Sequence, residues 1–198
     1  MPIVHLIRHA RPAAAWGEDP DPGLHALGLD QAEATARAMA LAPDPLPIYT
    51  SPLRRCRETA RPLERKWDRA ATVLPACAEI PAPPLDSSAR RTWLDQVLAG
   101  TWAELDASRE AGWPDFASWR LTLLRSLEAL DGESVVFTHF IAINVVVAHA
   151  LGRDEVVCFR PDHASITTVE FTPGGIRIVS WRPGDYLGSH LMPHRTCA

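Results

Sequence analysis

Three segments of this 198-residue chain carry side chains able to handle an anionic group, and they lie far apart in sequence. The first is Arg8-His9, at the end of the apolar run Ile3-Val4-His5-Leu6-Ile7. The second is Ser51-Pro52-Leu53-Arg54-Arg55-Cys56-Arg57-Glu58-Thr59-Ala60, and the third is His139, directly after Val135-Val136-Phe137-Thr138. An Arg-His pair alone says little. Shared metal binding by His5 and His9 is disfavoured, because strand spacing of ~3.3 Å per residue puts them about 13 Å apart. His5 is instead expected as a hydrogen-bonded core residue. Arg55 is more informative, since the first turn of a helix offers free backbone N–H groups and the positive end of the helix dipole. A guanidinium there adds a planar fork of donors suited to phosphate. Arg54 and Glu58 are expected to pair along the outer face of the same helix.

These residues can act together only if the fold gathers them. Ile3 to Ile7 is short, β-branched and apolar, as a strand buried on both faces should be. A loop rich in Ala, Pro, Gly and Asp follows from Ala10 to Gly23. Leu29 to Leu41 reads as a helix with Ala32, Ala36, Met39 and Ala40 on one side, broken by Pro43, Pro45 and Pro47. Leu46 to Thr50 reads as a strand. Ser51-Pro52 predicts a helix start, with a hydroxyl cap and proline at the first helical position, running to Trp67. Val73 to Ile80 is expected as a short edge strand, followed by a proline-rich turn and a helix around Arg90 to Ala99. Phe116 to Leu130 predicts an amphipathic helix ended by Asp131-Gly132. Val135 to Thr138 is a further buried strand, and Ile141 to Leu151 an apolar helix stopped by Gly152. Ser165 to Phe171 and Ile176 to Trp181 flank Pro173-Gly174-Gly175 and predict a hairpin.

Strands interleaved with helices predict a three-layer α/β/α sandwich around a mostly parallel sheet, with residues 1–198 as a single domain. Ligands of such sheets sit beyond the carboxyl ends of the strands. Arg8-His9, Ser51 with the helix after it, and His139 all fall at such ends, so they are expected on one rim.

Leu6-Ile7-Arg8-His9-Ala10 resembles the opening motif of the histidine phosphatase superfamily, the phosphoglycerate mutase-like family. Ser51-Pro52-Leu53 through Arg55 to Thr59-Ala60 is similar to its second motif, and Val136-Phe137-Thr138-His139 to the strand that delivers its second catalytic histidine. Ser165 to Phe171 and His190-Leu191 resemble its C-terminal part, so the likeness runs in order along nearly the whole chain. The resemblance implies a phosphoglycerate mutase-like fold, a phosphohistidine formed on His9, and Arg8, Arg55 and His139 around the phosphoryl oxygens without metal or other cofactor. It also implies a carboxylic acid that serves the leaving oxygen. Glu79 stands at the family's position, with Glu104 and Asp86 in reserve, while Glu58 is expected on the helix surface.

Departures from the family pattern concern the pocket walls. Ala10 replaces the usual glycine, and Phe140 follows the second histidine, where its ring could line the substrate site. The phosphate-binding asparagine of many relatives has no counterpart in the loop after the first motif, which leaves Arg11, Trp16 or a backbone amide as substitutes. Asn144 is expected to serve packing, and His163, just before the hairpin, to lie on the surface, with reach into the pocket as the alternative.

Composition bounds the alternatives. Hydrophobic residues make up 46% of the chain and charged residues 22%, enough for a full core. A net charge of −4 argues against a general nucleic-acid binder. Lys66 is the single lysine, which reflects base composition rather than function. Cys56, Cys77, Cys158 and Cys197 lack the paired spacing of a zinc ribbon or disulfide framework. No apolar stretch approaches the ~18 residues of a membrane span, and no basic leader precedes the first strand. The expectation is a soluble cytoplasmic phosphatase acting on a small phosphorylated metabolite. A phosphoglycerate mutase-type transferase and a non-catalytic phosphate-binding scaffold on the same fold are the alternatives.

Overall fold

The computed structural model describes residues 1–14 and 19–182. Six strands form one sheet: β1 (Ile3–Arg8), β2 (Ile48–Thr50), β3 (Thr72–Val73), β4 (Glu133–Thr138), β5 (Ile166–Thr172) and β6 (Gly175–Arg182). Their spatial order is β3-β2-β4-β1-β5-β6. The first four in that order run parallel, and β5 and β6 close one edge as an antiparallel hairpin. The sheet is therefore mixed, with the parallel part where the three motif segments emerge.

Alternation along the central strands separates two apolar layers. Ile7 of β1 and Val135 and Phe137 of β4 pack with Ala36 and Met39 of α1 (Ala26–Met39) and Cys56, Ala60 and Leu63 of α2 (Arg54–Trp67). Val4, Leu6 and Val136 point the other way. They pack among α3 (Ser87–Ala99), α4 (Trp102–Ala107), α5 (Phe116–Glu128) and α6 (Phe140–Leu151). Phe137 and Phe116 are 1% and 0% exposed, and each such burial contributes about 2–3 kcal/mol relative to exposure. Among the described residues, no helix is long and apolar enough to cross a membrane.

Two local expectations need correction, and one element lies where none is predicted. Ser51 does not start α2: Leu53 keeps an extended backbone (φ −71°, ψ 140°), and the helix begins at Arg54. Ser51 Oγ does accept the Leu53 N–H (3.2 Å), but within a bend before the helix. The expected strand from Val73 to Ile80 shrinks to the two residues of β3, because Pro75 opens a 3₁₀ turn over Pro75–Cys77. Between Gly100 and Phe116, where the sequence pattern predicts no element, Thr101 and Glu104 form a reciprocal capping box that starts α4. The remaining helices lie where the sequence predicts them, with small shifts at their ends; α6 ends on Gly152 at φ +63°, a conformation that favours glycine.

Candidate active site

The parallel ladder between β1 and β4 determines the centre of the site. Arg8 pairs in register with Thr138, so His9 and His139 leave their strands side by side. The His9 N–H donates to Thr138 O (2.9 Å), and the two imidazole centroids are 5.2 Å apart. β2 adds the third segment: Thr50 pairs with Phe137, and the Ser51 N–H donates to Phe137 O (2.9 Å). The three segments thus reach one rim.

His9 is 6% exposed and its Nδ1 lies 2.9 Å from Ala10 O. A carbonyl only accepts, so Nδ1 carries the proton and Nε2 keeps a free lone pair. Ala10 is itself held by its N–H to Thr59 Oγ1 (3.0 Å), whose hydroxyl donates to Arg55 O (2.6 Å). Burial, then the charges of Arg55 and Arg8, keep the His9 imidazole well below its ordinary pKa of 6.5. His139 is fully buried and is lowered in the same direction, by burial first and then by His9, Arg55 and Arg8. Its Nε2 contacts Ser51 Oγ at 2.8 Å and Cys56 Sγ at 3.3 Å.

Two guanidinium groups supply the positive charge. Arg55, in the first turn of α2, is 7% exposed and has no side-chain hydrogen bond or ion pair among the described residues. Arg8 donates from Nη1 to Pro161 O (2.8 Å) and from Nη2 to His163 Nε2 (3.1 Å), and lies 5.0 Å from the centroid of the Phe140 ring. Burial lowers the Arg8 pKa to about 10, opposed by Glu79 and Asp162, so it stays charged at neutrality.

Glu79 meets the start of α6. Its Oε1 accepts from Ile80 N (3.1 Å) and Ala142 N (3.3 Å), and Oε2 from Ile141 N (3.4 Å). Removal from water pushes this carboxyl above the ordinary value of 4.5, against the pull of the backbone donors, Arg55 and Arg8. A half-buried acid that holds its proton longer than usual, facing two arginines, has the character of a proton donor.

The family model of the histidine phosphatase superfamily (branch 1) matches residues 4–183. The chain belongs to this superfamily. No curated protein matches it. Among solved structures, it is similar to a phosphoserine phosphatase from Entamoeba histolytica in a complex with phosphoserine (TM-score 0.69, 22% identity, 93% of this chain and 98% of that one). It is also similar to a phosphoglycerate mutase from Thermus thermophilus (TM-score 0.63, 24% identity, 92% and 99%). At such identities these likenesses establish the shared fold.

The other histidine phosphatase candidates separate clearly. Glu104 is engaged in the capping box of α4, and Asp86 caps α3 by accepting from Ser88 N and Ala89 N, both at 2.9 Å. Glu58 binds Arg54 (2.7 Å), as expected, and also accepts from Leu24 N (2.7 Å). Arg11 has an exposed side chain, and its backbone is fastened to α1 through Gln31 Oε1 (2.9 Å) and His25 N (3.0 Å). That approach requires Gly28, where a Cβ would lie 2.2 Å from Arg11 O. Phe140 touches the site through Arg8. Asn144 joins α6 to the following segment, accepting from Cys158 N (3.0 Å) and Phe159 N (3.1 Å). His5 bonds Thr168 Oγ1 (2.9 Å) and Glu133 Oε1 (2.8 Å), a hydrogen-bonded role, although it is only half-buried. Trp16 and His190-Leu191 lie outside the described residues. Among the described residues, no group of three His, Cys, Asp or Glu side chains is placed to hold a metal ion.

His163 corrects the expectation of a surface histidine. Its ring centroid is 5.7 Å from that of His9, and it bonds Arg8 across 155 positions of sequence. Nothing in the local pattern Pro161-Asp162-His163-Ala164 signals this, because the contact depends on the pairing of β1 with β5.

Proposed function

We propose that this chain is a metal-independent phosphatase that hydrolyses a small phosphomonoester through a phosphohistidine on His9. The observation that carries the reading is the His9 ring: buried, its Nδ1 committed to Ala10 O, its Nε2 lone pair free, with Arg8, Arg55 and His139 around it. Burial, and then the charges of Arg55 and Arg8, lower the His9 pKa, so a neutral nucleophile coexists with the charge needed to hold a phosphoryl dianion.

In the first step, Nε2 attacks phosphorus in line, the P–N bond forms and the P–O bond to the leaving group breaks. The departing oxygen takes the Glu79 proton. In the second step, water attacks phosphorus and gives a proton to the Glu79 carboxylate. The P–N bond then breaks, its electron pair returns to Nε2, and inorganic phosphate leaves. Arg8, Arg55 and His139 offset the charge on the three non-bridging oxygens in both steps.

The test is p-nitrophenyl phosphate turnover with a chelator present, together with acid-labile phosphate retained on the denatured protein. His9→Ala is expected to lower kcat by roughly 10⁴-fold or more and to abolish the labelled protein. Turnover that survives the substitution overturns the reading. Label transferred to an added phosphate acceptor in place of inorganic phosphate release assigns the chain to mutase chemistry.

A further inference from the structure

The turn at residues 161–165, which leads into β5, holds Arg8 at four points. The Arg8 N–H donates to Ser165 O (3.2 Å), and the Ala164 N–H donates to Arg8 O (3.1 Å). The side chain donates to Pro161 O (2.8 Å) and to His163 Nε2 (3.1 Å). The turn is firmly built: Ser165 N donates to Asp162 O (3.1 Å), and Thr35 Oγ1 of α1 donates to Ala164 O (2.8 Å). Ala164 has φ +60°. A residue with a Cβ is strained in that conformation, and such strain persists where the surroundings impose it.

Arg8 is left with one conspicuous donor. Its Nε is buried and has no hydrogen-bond partner among the described residues. An unmet donor in a buried site is costly, a cost relieved when an anion beside His9 accepts from it.

We propose that His163 is a positioning residue for phosphoryl transfer: its Nε2 lone pair, together with Pro161 O, fixes the plane of the Arg8 guanidinium, so that Nε–H meets the transferring group in one orientation. This role rests on the phosphatase reading of His9. It requires a neutral imidazole, since a protonated ring has no acceptor. Burial, Arg8 on β1 and Arg11 in the following loop hold the His163 pKa down to about 4. The acceptor is therefore present throughout the neutral range. The His9 ring also faces it, with the two centroids 5.7 Å apart, and Asp162 acts on the same Arg8 guanidinium.

The experiment compares His163→Phe, which keeps a ring without an acceptor, with His163→Gln, which keeps a neutral acceptor of similar reach. His163→Phe is expected to lower kcat/KM for p-nitrophenyl phosphate by roughly 10–100-fold, mainly through kcat, with little change in Tm. Orthovanadate, measured by calorimetry, should bind about tenfold more weakly. His163→Gln should restore most of both. In an Arg8→Ala background, His163→Phe should change either quantity less than about twofold, because the effect passes through Arg8. Equal losses in the Phe and Gln variants, an additive effect in that background, or wild-type behaviour of His163→Phe overturns the proposal. Orthovanadate binding needs no turnover, so an inactive wild-type protein overturns the phosphatase reading while this arm still decides the role of His163. His163→Leu supplies the same comparison if the Phe variant does not fold.

Discussion

The helices of this protein begin in two different ways. In α1, α3, α4 and α5 the residue at the N-cap supplies the side chain that accepts a backbone N–H: His25, Asp86, Thr101 and Asp115. In α2 and α6, which start at the candidate active site, the N-cap residues Leu53 and His139 make no such bond. Their starts are served from elsewhere in the chain. Asp21 accepts from Arg54 N (2.7 Å), and Glu79 accepts from Ile141 N and Ala142 N. Helices remote from the pocket are thus closed by local sequence, while those that build it depend on distant carboxylates.

The largest test of this contrast falls on Glu79, which is both the partner of the α6 start and the proposed acid. Glu79→Gln keeps one acceptor oxygen at the α6 start, puts an NH2 donor in place of the other oxygen, and has no proton to give. The kcat of the variant with an alkyl phosphate is expected to fall by roughly 10²–10⁴-fold, with a Tm decrease of about 2–4 °C from the one lost acceptor. The pH profile of kcat/KM sharpens the assignment. His9 must be neutral to attack, so its protonation, at a pH below its ordinary 6.5, sets the acid limb. Glu79 must be protonated to donate, so loss of its proton, above 4.5, sets the alkaline limb. The substitution should remove the alkaline limb and leave the acid limb in place. An alkaline limb unchanged in Glu79→Gln assigns the acid to another group.

The same contrast explains what the chain makes legible. His9 and His139 can be placed because each follows a short apolar strand, and the rule that ligands gather at strand ends brings them together without knowledge of strand order. The β3-β2-β4-β1 order that sets their rings 5.2 Å apart is not legible, since pairing between strands far apart in sequence leaves no local trace. Glu79 is placed by family resemblance alone; the edge strand expected to carry it stops at Val73, before the turn that Pro75 opens. His163 is misplaced by its sequence context, as a turn histidine with no periodic pattern around it gives no sign of Arg8. Ser51 is the instructive failure. Its Ser-Pro pattern obeys the local rule for a helix start, yet Leu53 stays extended and the hydroxyl reaches His139. Local rules hold along α5 and at the Gly152 end of α6 and fail at the rim, where tertiary contacts override them.

Ser51→Ala probes that failure with an intermediate effect. The change removes the 2.8 Å contact to His139 Nε2 and the acceptor for Leu53 N. Freed of one partner, the His139 ring loses part of its orientation, and kcat/KM is expected to fall by about tenfold through kcat. A buried group left unsatisfied should cost about 1–2 kcal/mol in urea unfolding. If activity is unchanged while stability falls, Ser51 serves only the bend before α2.

The smallest effect belongs to a locally capped helix. Asp86 is exposed and accepts from Ser88 N and Ala89 N at the start of α3, whose Trp93 and Val97 enter the core. Asp86→Ala is expected to cost about 1 kcal/mol, a Tm decrease of about 2–4 °C for a chain of this size, with kcat/KM and its pH profile unchanged. The two halves of this outcome must appear together. Asp86 is also a candidate acid on sequence grounds, and an acid would reverse the pattern, with activity lost and Tm preserved. Stability lost without activity places the functional carboxylate where a helix start is closed from a distance.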